Sequence, residues 1–230
     1  MTIDLADRSR SSLASQVYSE ILNRIQRGQL SPQDRLVDTA VAAELSVSRM
    51  PVREAMLRLA NEGYLVSTTR GFMLPKLSLE DIAEIHEMRR LLEPRAAAGA
   101  VRVLTDLAIR RLEEANEAAR AAAVCNDPTG FISASNAFRQ VWLQATPNRR
   151  LAATISRFAD QVQTMHHSTL YDADSQRIAA VLIADVLRGF QERDALGVHD
   201  RVAALIDRGR ERFLLSFPQG KLPDDSLRVS

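Results

Sequence analysis

The chain has 230 residues, 46% of them hydrophobic, which allows one or two domains with sizeable cores. Its 30 basic and 29 acidic side chains nearly cancel, and residues 1–76 carry ten basic against eight acidic while 77–230 carry twenty against twenty-one. That is weak electrostatic evidence for nucleic acid, and the case for it must rest on where particular arginines sit. Cys125 is the sole cysteine, which excludes a disulfide framework; no apolar run approaches the roughly 18 residues of a membrane span and MTIDLADRSRSS has no apolar signal core, so a soluble, cytoplasmic protein without membrane contact is expected.

Leu13, Val17, Ile21 and Ile25, flanked by Tyr18 and Leu22, recur at helical spacing and predict an amphipathic helix over 13–27, stopped by Gly28. Ser31-Pro32-Gln33-Asp34 is a turn leading into Arg35-Leu36-Val37. Asp38 can cap a short helix to about Leu45, and Ser48 can cap a second to about Asn61. Pro51 falls in the first turn of that second helix, where a missing N–H is harmless, and Gly63 suits its C′ position. Tyr64–Ser67 and Phe72–Leu74, around Thr68–Gly71, carry the only convincing strand signals. Residues 1–76 thus read as a winged helix-turn-helix.

Pro75 and Lys76 close that domain, and Ser78-Leu79-Glu80-Asp81 opens a new helix with a capping-box-like pattern. Beyond it, apolar and Ala positions predict helices through about 78–103, 105–124, 128–145, 148–169, 175–193 and 195–216. Breaks fall at Thr105, Asp127-Pro128, Thr146-Pro147, Tyr171–Asp174 and near Asp194. Asp127-Pro128 and Thr146-Pro147 read as N-cap plus N1 pairs, and Pro94 predicts a kink near Arg90–Leu92. The expected architecture is mainly α: the winged helix-turn-helix over 1–76, an all-α effector-binding and dimerisation bundle over 77–217, and a polar tail over 218–230.

In Ser48-Arg49-Met50-Pro51-Val52-Arg53, Arg49 and Arg53 stand one turn apart on one helix face, and the hairpin tip carries Arg70-Gly71. A helix fills the major groove, Arg forks match guanine edges, and cations neutralise phosphates. Taken singly, each arginine reads as a solvated surface cation. The preceding turn, Ser48 and the wing tip together favour a duplex-reading element. No nucleophile–base pair, P-loop, dinucleotide fingerprint or paired-carboxylate motif points to an enzyme.

The segment SVSRMPVREAMLRLANEGYL resembles the recognition-helix signature of GntR-family transcriptional regulators. The helical remainder, opening LSLEDIAEIHEMRRLLEPRAA, is similar to the effector domain of their FadR subfamily, so the likeness spans about 13–216. The resemblance implies a homodimer whose two recognition helices read a palindromic operator in double-stranded DNA, controlled by a small molecule bound in the helical domain. Carried over by position, the DNA contacts are Arg35, Ser48, Arg49, Met50, Pro51 and Arg53, with Arg70 and Gly71 of the wing entering the minor groove. Thr39 stands where these proteins commonly have a base-reading Arg, and Met50 where Thr is usual. The operator is therefore not expected to be the family's commonest one.

Many effector domains of that subfamily hold a divalent metal with one Asp and three His, the first two in the pattern Asp-x-x-Phe-His. Here the matching segment is Ser135-Asn136-Ala137-Phe138-Arg139, and the other two His positions fall at Ile183 and Leu205. A hydroxyl, a guanidinium and two hydrocarbon chains do not ligate a cation, so no metal and no other cofactor is expected. Phe131, Ser135, Phe138 and Trp142 recur at helical spacing, which turns Ser135 inward with Arg139 one turn beyond it. Two readings follow: a chamber in which Arg139 grips a hydrophobic carboxylate, or a filled core in which Arg139 pairs with a helix-borne carboxylate. Arg89 and Glu93, four apart, read as a salt bridge on a solvated face, whereas the resemblance brings Arg89 towards the pocket or the domain junction. The candidate effector residues are Arg89, Ser135, Arg139, Ile183 and Leu205. His86, His166, His167 and His199 read as surface or helix-end residues. A metal-sensing regulator with unusual ligands, a helical enzyme with a DNA-binding appendage and an architectural DNA binder without effector are the alternatives.

Overall fold

The computed structural model describes residues 5–26, 29–31, 33–76, 78–158 and 172–216. Packing divides the chain into two units, Met1–Lys76 and Leu77–Ser230. The first contains α1 (Leu5–Gln26), α2 (Asp38–Glu44), α3 (Arg49–Asn61), β1 (Val66–Thr68) and β2 (Gly71–Met73). Val17, Ile21 and Ile25 of α1 close over Val52, Met56 and Leu59 of α3, with Val41, Tyr64, Leu65, Phe72 and Leu74 completing one core. Fully burying each larger side chain stabilises the unit by roughly 1.5–3 kcal/mol.

Polar contacts then fix how α3 is carried. The Tyr18 hydroxyl donates to Glu62 at 2.5 Å, Arg58 donates to the same carboxylate at 3.0 Å, and the Arg58 guanidinium lies 4.1 Å from the Tyr18 ring centroid. The helix ends in a Schellman arrangement: Tyr64 N–H donates to Leu59 O at 2.9 Å and Gly63 N–H to Ala60 O at 3.0 Å, with Gly63 at φ +82°. The antiparallel wing pairs Val66 with Met73 and Thr68 with Gly71, and Leu36 bridges to Phe72 on its other side. That bridge explains Gly71. Its φ is +124°, and a Cβ there would stand 2.5 Å from Leu36 O.

Two caps differ from expectation. Asp38 is the first residue inside α2, behind an uncapped Val37, and turns its carboxylate to Arg49 instead. Ser48 has the extended backbone of an N-cap, but its hydroxyl makes no capping bond. Helix α1 also starts well before residue 13. Gly28 and Pro32 lie outside the described residues.

The elements of the second unit's described residues are all helices: α4 (Leu79–Ala100), α5 (Asp106–Cys125), α6 (Pro128–Gln144), α7 (described over 149–158), α8 (Ala173–Gln191) and α9 (Ala195–Ser216). Helix α5 packs on α6 and α8, and α9 packs on α4 and α8. Side chains set the starts. Ser78 and Asp81 form a reciprocal capping box on α4, Thr105 accepts from Ala108 N–H, and Asp127 accepts from Gly130 N–H with Pro128 at N1. Asn126, at φ +51°, turns the chain between α5 and α6. Thr146 does not cap α7; Asn148 does, accepting from Leu151 N–H at 3.1 Å. Thr146 is buried and donates back to Trp142 O at 3.2 Å, the habit of a hydroxyl at a helix C-terminus. Helix α4 runs on through buried Pro94, so the expected kink does not divide it. The end of the predicted 148–169 helix, Tyr171, His166, His167 and the tail 218–230 lie outside the described residues.

Candidate nucleic-acid interface and effector cavity

Helix α3 presents its N-terminus from a tight turn over Leu45–Ser48, in which Ser46 takes φ +55° and Val47 N–H donates to Ala42 O at 3.0 Å. Met50 is 72% exposed, and Ser48, Arg49 and Arg53 are exposed with it. The Arg49 guanidinium reaches both Asp38 oxygens, at 3.2 and 3.4 Å, which holds it beside the start of the helix. No acidic residue occupies the first turn. The first N–H groups and the positive end of the helix dipole therefore add to the arginines as an anion-attracting surface. Arg35 and Arg70 are exposed as well. The Thr68 hydroxyl links the wing tip, donating to Gly71 O at 2.9 Å and accepting from Arg70 N–H at 3.3 Å.

Pro51 departs from this set. It is buried, because α3 turns Pro51, Val52, Ala55, Met56 and Leu59 into the core, so its side chain cannot meet DNA. Gly71 has a structural cause of its own in the Leu36 bridge.

The second unit contains a cavity of ≈ 140 Å³, and its lining includes Arg89, Ser135, Arg139, Ile183 and Leu205 together. Phe131, Phe138 and Trp142 of α6 form one apolar side, and Ala179, Ile183 and Val186 of α8 another. The described residues of these helices leave this space between them. Arg139 donates to Asn136 Oδ1 at 2.8 Å. Arg89 and Glu93 are buried rather than solvated, and pair at 2.5 Å on the cavity wall. Arg212, also on the wall, donates to Ser175 Oγ at 2.8 Å and is ion-paired with Asp172, the N-cap of α8.

His86 corrects the expectation that the histidines are peripheral. It is 2% exposed, lines the cavity and packs against the Phe213 ring at 6.4 Å between centroids. Burial pushes its imidazole down to about 4, with Arg89 and Arg210 adding to the shift and Glu93 opposing it. A periodic signal for this existed: Ile82, Ile85, His86, Arg89 and Glu93 lie at i, i+3, i+4, i+7 and i+11, a single inward stripe of α4. The wall residues Asn136, Ser175, Arg208 and Arg212 were likewise not anticipated. The donor set at the four metal-site positions (Ser135, Arg139, Ile183, Leu205) offers a cation neither carboxylate nor imidazole, and a resident metal there does not fit. No three His, Cys, Asp or Glu side chains converge among the described residues.

An exposed arginine-bearing helix on a winged domain, joined in one chain to a helical domain with a cavity, defines a DNA-binding regulator with an effector-binding domain. Residues 13–72 match the family described as bacterial regulatory proteins, gntR family, and residues 84–208 match the FCD domain, so the chain belongs to the GntR family of transcriptional regulators. It is 33% identical over 129 residues to the HTH-type transcriptional regulator McbR of Escherichia coli, a match that spans 56% of the chain and 58% of McbR. It is 32% identical over 143 residues to an uncharacterized HTH-type regulator from the TAR-I ttuE-ttuC′ intergenic region of Agrobacterium vitis, covering 60% of this chain and 84% of that one. The solved structure of E. coli McbR/YncC superposes with a TM-score of 0.80 at 24% identity, over 89% of this chain and 98% of the other, which shows the shared fold. The family is one of regulators rather than enzymes. No described helix is long and apolar enough to cross a membrane.

Proposed function

We propose that this regulator acts in the cytoplasm as a homodimer on a palindromic operator, and that its effector is a compact organic acid held in the second unit without metal. Two-fold symmetry presents two copies of α3 to successive major grooves. Arg49, Arg53 and Met50 read bases there, Ser48 and Arg35 meet phosphates, and Arg70 follows the minor groove. One observation carries the effector reading. Arg139, Ser135, Ile183 and Leu205, drawn from three helices, line one cavity that is apolar over most of its wall. A guanidinium at the edge of such a wall suits a carboxylate with a hydrophobic body.

Benzoate is a suitable probe. At about 100 times its Kd it should stabilise the protein by roughly 2.7 kcal/mol, seen as a raised melting temperature, and should change operator affinity reciprocally. Arg139→Ala should abolish both effects with the fold intact. One equivalent of metal coordinated at these wall positions in purified protein, with melting temperature lost on chelation, would overturn the reading.

A further inference from the structure

A carboxylate clamp at Arg139 leaves part of the cavity wall unexplained. His86 Nδ1, His86 Nε2 and Ser135 Oγ are all buried and have no hydrogen-bond partner among the described residues. His86 and Ser135 both line the cavity. Folded proteins satisfy nearly all such atoms, because each one left bare forfeits the hydrogen bonds it made with water. Three of them around one chamber are an arrangement that the packing of the described residues does not use.

Their chemistry limits what can meet them. His86 is surrounded by the Phe213 ring and by Arg89, whose charge is taken by Glu93 one turn on, with Arg210 close enough to oppose any further positive charge. The ring is therefore a neutral imidazole, one donor and one acceptor on opposite edges. Ser135 adds a hydroxyl that can do either. A second carboxylate would satisfy only the donors. A hydroxyl group both donates and accepts, and brings no charge beside Arg89, whose own is already met by Glu93.

Position supplies the rest. Ser135 precedes Arg139 by one turn of α6, so a molecule gripping Arg139 lies along Ser135, and His86 faces the same space from α4. The volume of ≈ 140 Å³ is close to that of cavities, about 150 Å³, that take a single benzene ring. Resting on the effector reading above, we propose that His86 and Ser135 form a hydroxyl-recognition pole, and that the effector class is a ring-sized hydroxylated carboxylic acid with its carboxylate at Arg139 and its hydroxyl between His86 and Ser135.

The test measures affinity of the full-length protein, by calorimetry and thermal shift, for benzoate and for 2-, 3- and 4-hydroxybenzoate, which sample three carboxylate–hydroxyl separations. At least one isomer should bind tenfold or more tightly than benzoate, the return of a hydrogen bond to otherwise bare buried groups. His86→Leu, apolar and close in size, should bring the affinities for that isomer and benzoate together. Ser135→Ala should reduce the preference by a smaller factor. Benzoate bound through Arg139 with no isomer preferred, or a preference that survives both His86→Leu and Ser135→Ala, overturns the hydroxyl pole and leaves the acid site standing. Failure of all four acids to bind removes the acid site and this inference with it.

Discussion

Arg49–Asp38 in the first unit and Arg89–Glu93 in the second are the same chemical pair in opposite settings. The Arg49 side chain is 63% exposed and meets Asp38 at 3.2 Å, whereas Arg89 and Glu93 are 9% and 4% exposed and meet at 2.5 Å. In high dielectric the first pair is worth little and exchanges readily for a phosphate or a base edge. In the core the second cannot be opened without leaving a charge unpaired. The difference teaches what each arginine is for. Arg49 is held in place yet open to solvent, as the proposed DNA contact requires. Arg89 is paired with Glu93 on the cavity wall, towards which the family resemblance brought it, and not on the solvated face that its spacing alone suggested.

The largest effect should therefore come from the buried pair. Glu93→Gln strands the Arg89 charge in the second unit and should cost about 3–5 kcal/mol in urea unfolding. A loss under about 1 kcal/mol would place this pair with the surface ones and erase the contrast.

Next is a pH effect confined to the second unit. Folded His86 titrates near 4, and an ordinary histidine near 6.5. The unfolded chain therefore binds one more proton between those values, and stability falls as pH drops from about 6.5 to about 4. This group contributes no slope above that window. The total is on the order of 3 kcal/mol, at up to about 1.4 kcal/mol per pH unit. His86→Leu should flatten this part of the pH–stability curve. A separate loss should begin below about 4, because the Ser175 hydroxyl and Arg212 hold the Asp172 carboxylate near 2. An unchanged slope in His86→Leu would mean that His86 is solvated.

In the first unit the effects move from stability to binding. Arg49→Ala and Arg53→Ala should each weaken operator affinity by about 1–3 kcal/mol with the melting temperature unchanged, read out by titration of labelled operator. A lost base contact relaxes preference at one operator position, and a lost phosphate contact makes the salt dependence shallower. Operator affinity unaltered in both variants would remove α3 as the reading element. The smallest expected effect is that of Asp38→Ala: under about 1 kcal/mol in stability, because its partner Arg49 lies in solvent. Affinity for non-operator DNA should rise and its salt dependence steepen, since Arg49 becomes available to any phosphate. A large loss of stability would show that Asp38 supports the fold rather than the arginine.

The sequence by itself determined what depends on neighbours within a few positions. Periodic Val17, Ile21 and Ile25 mark the inner face of α1, Gly63 ends α3, Ser78 with Asp81 opens α4, and Asp127-Pro128 opens α6. Arg49 and Arg53 could be placed together on one exposed face for the same reason, because one helix turn alone decides which side chains share a face. Tertiary structure decided what depends on the element lying opposite. Pro51 belongs to the core because α3 is pressed onto α1, and Thr146 turns inward because the chain leaves α6 beside α4. His86 and the Arg89–Glu93 pair are buried because α9 lies along α4, with Phe213 against the imidazole. A histidine on an inward stripe does not record whether water or another helix will cover it, and that long-range choice is what leaves its two ring nitrogens buried on the cavity wall.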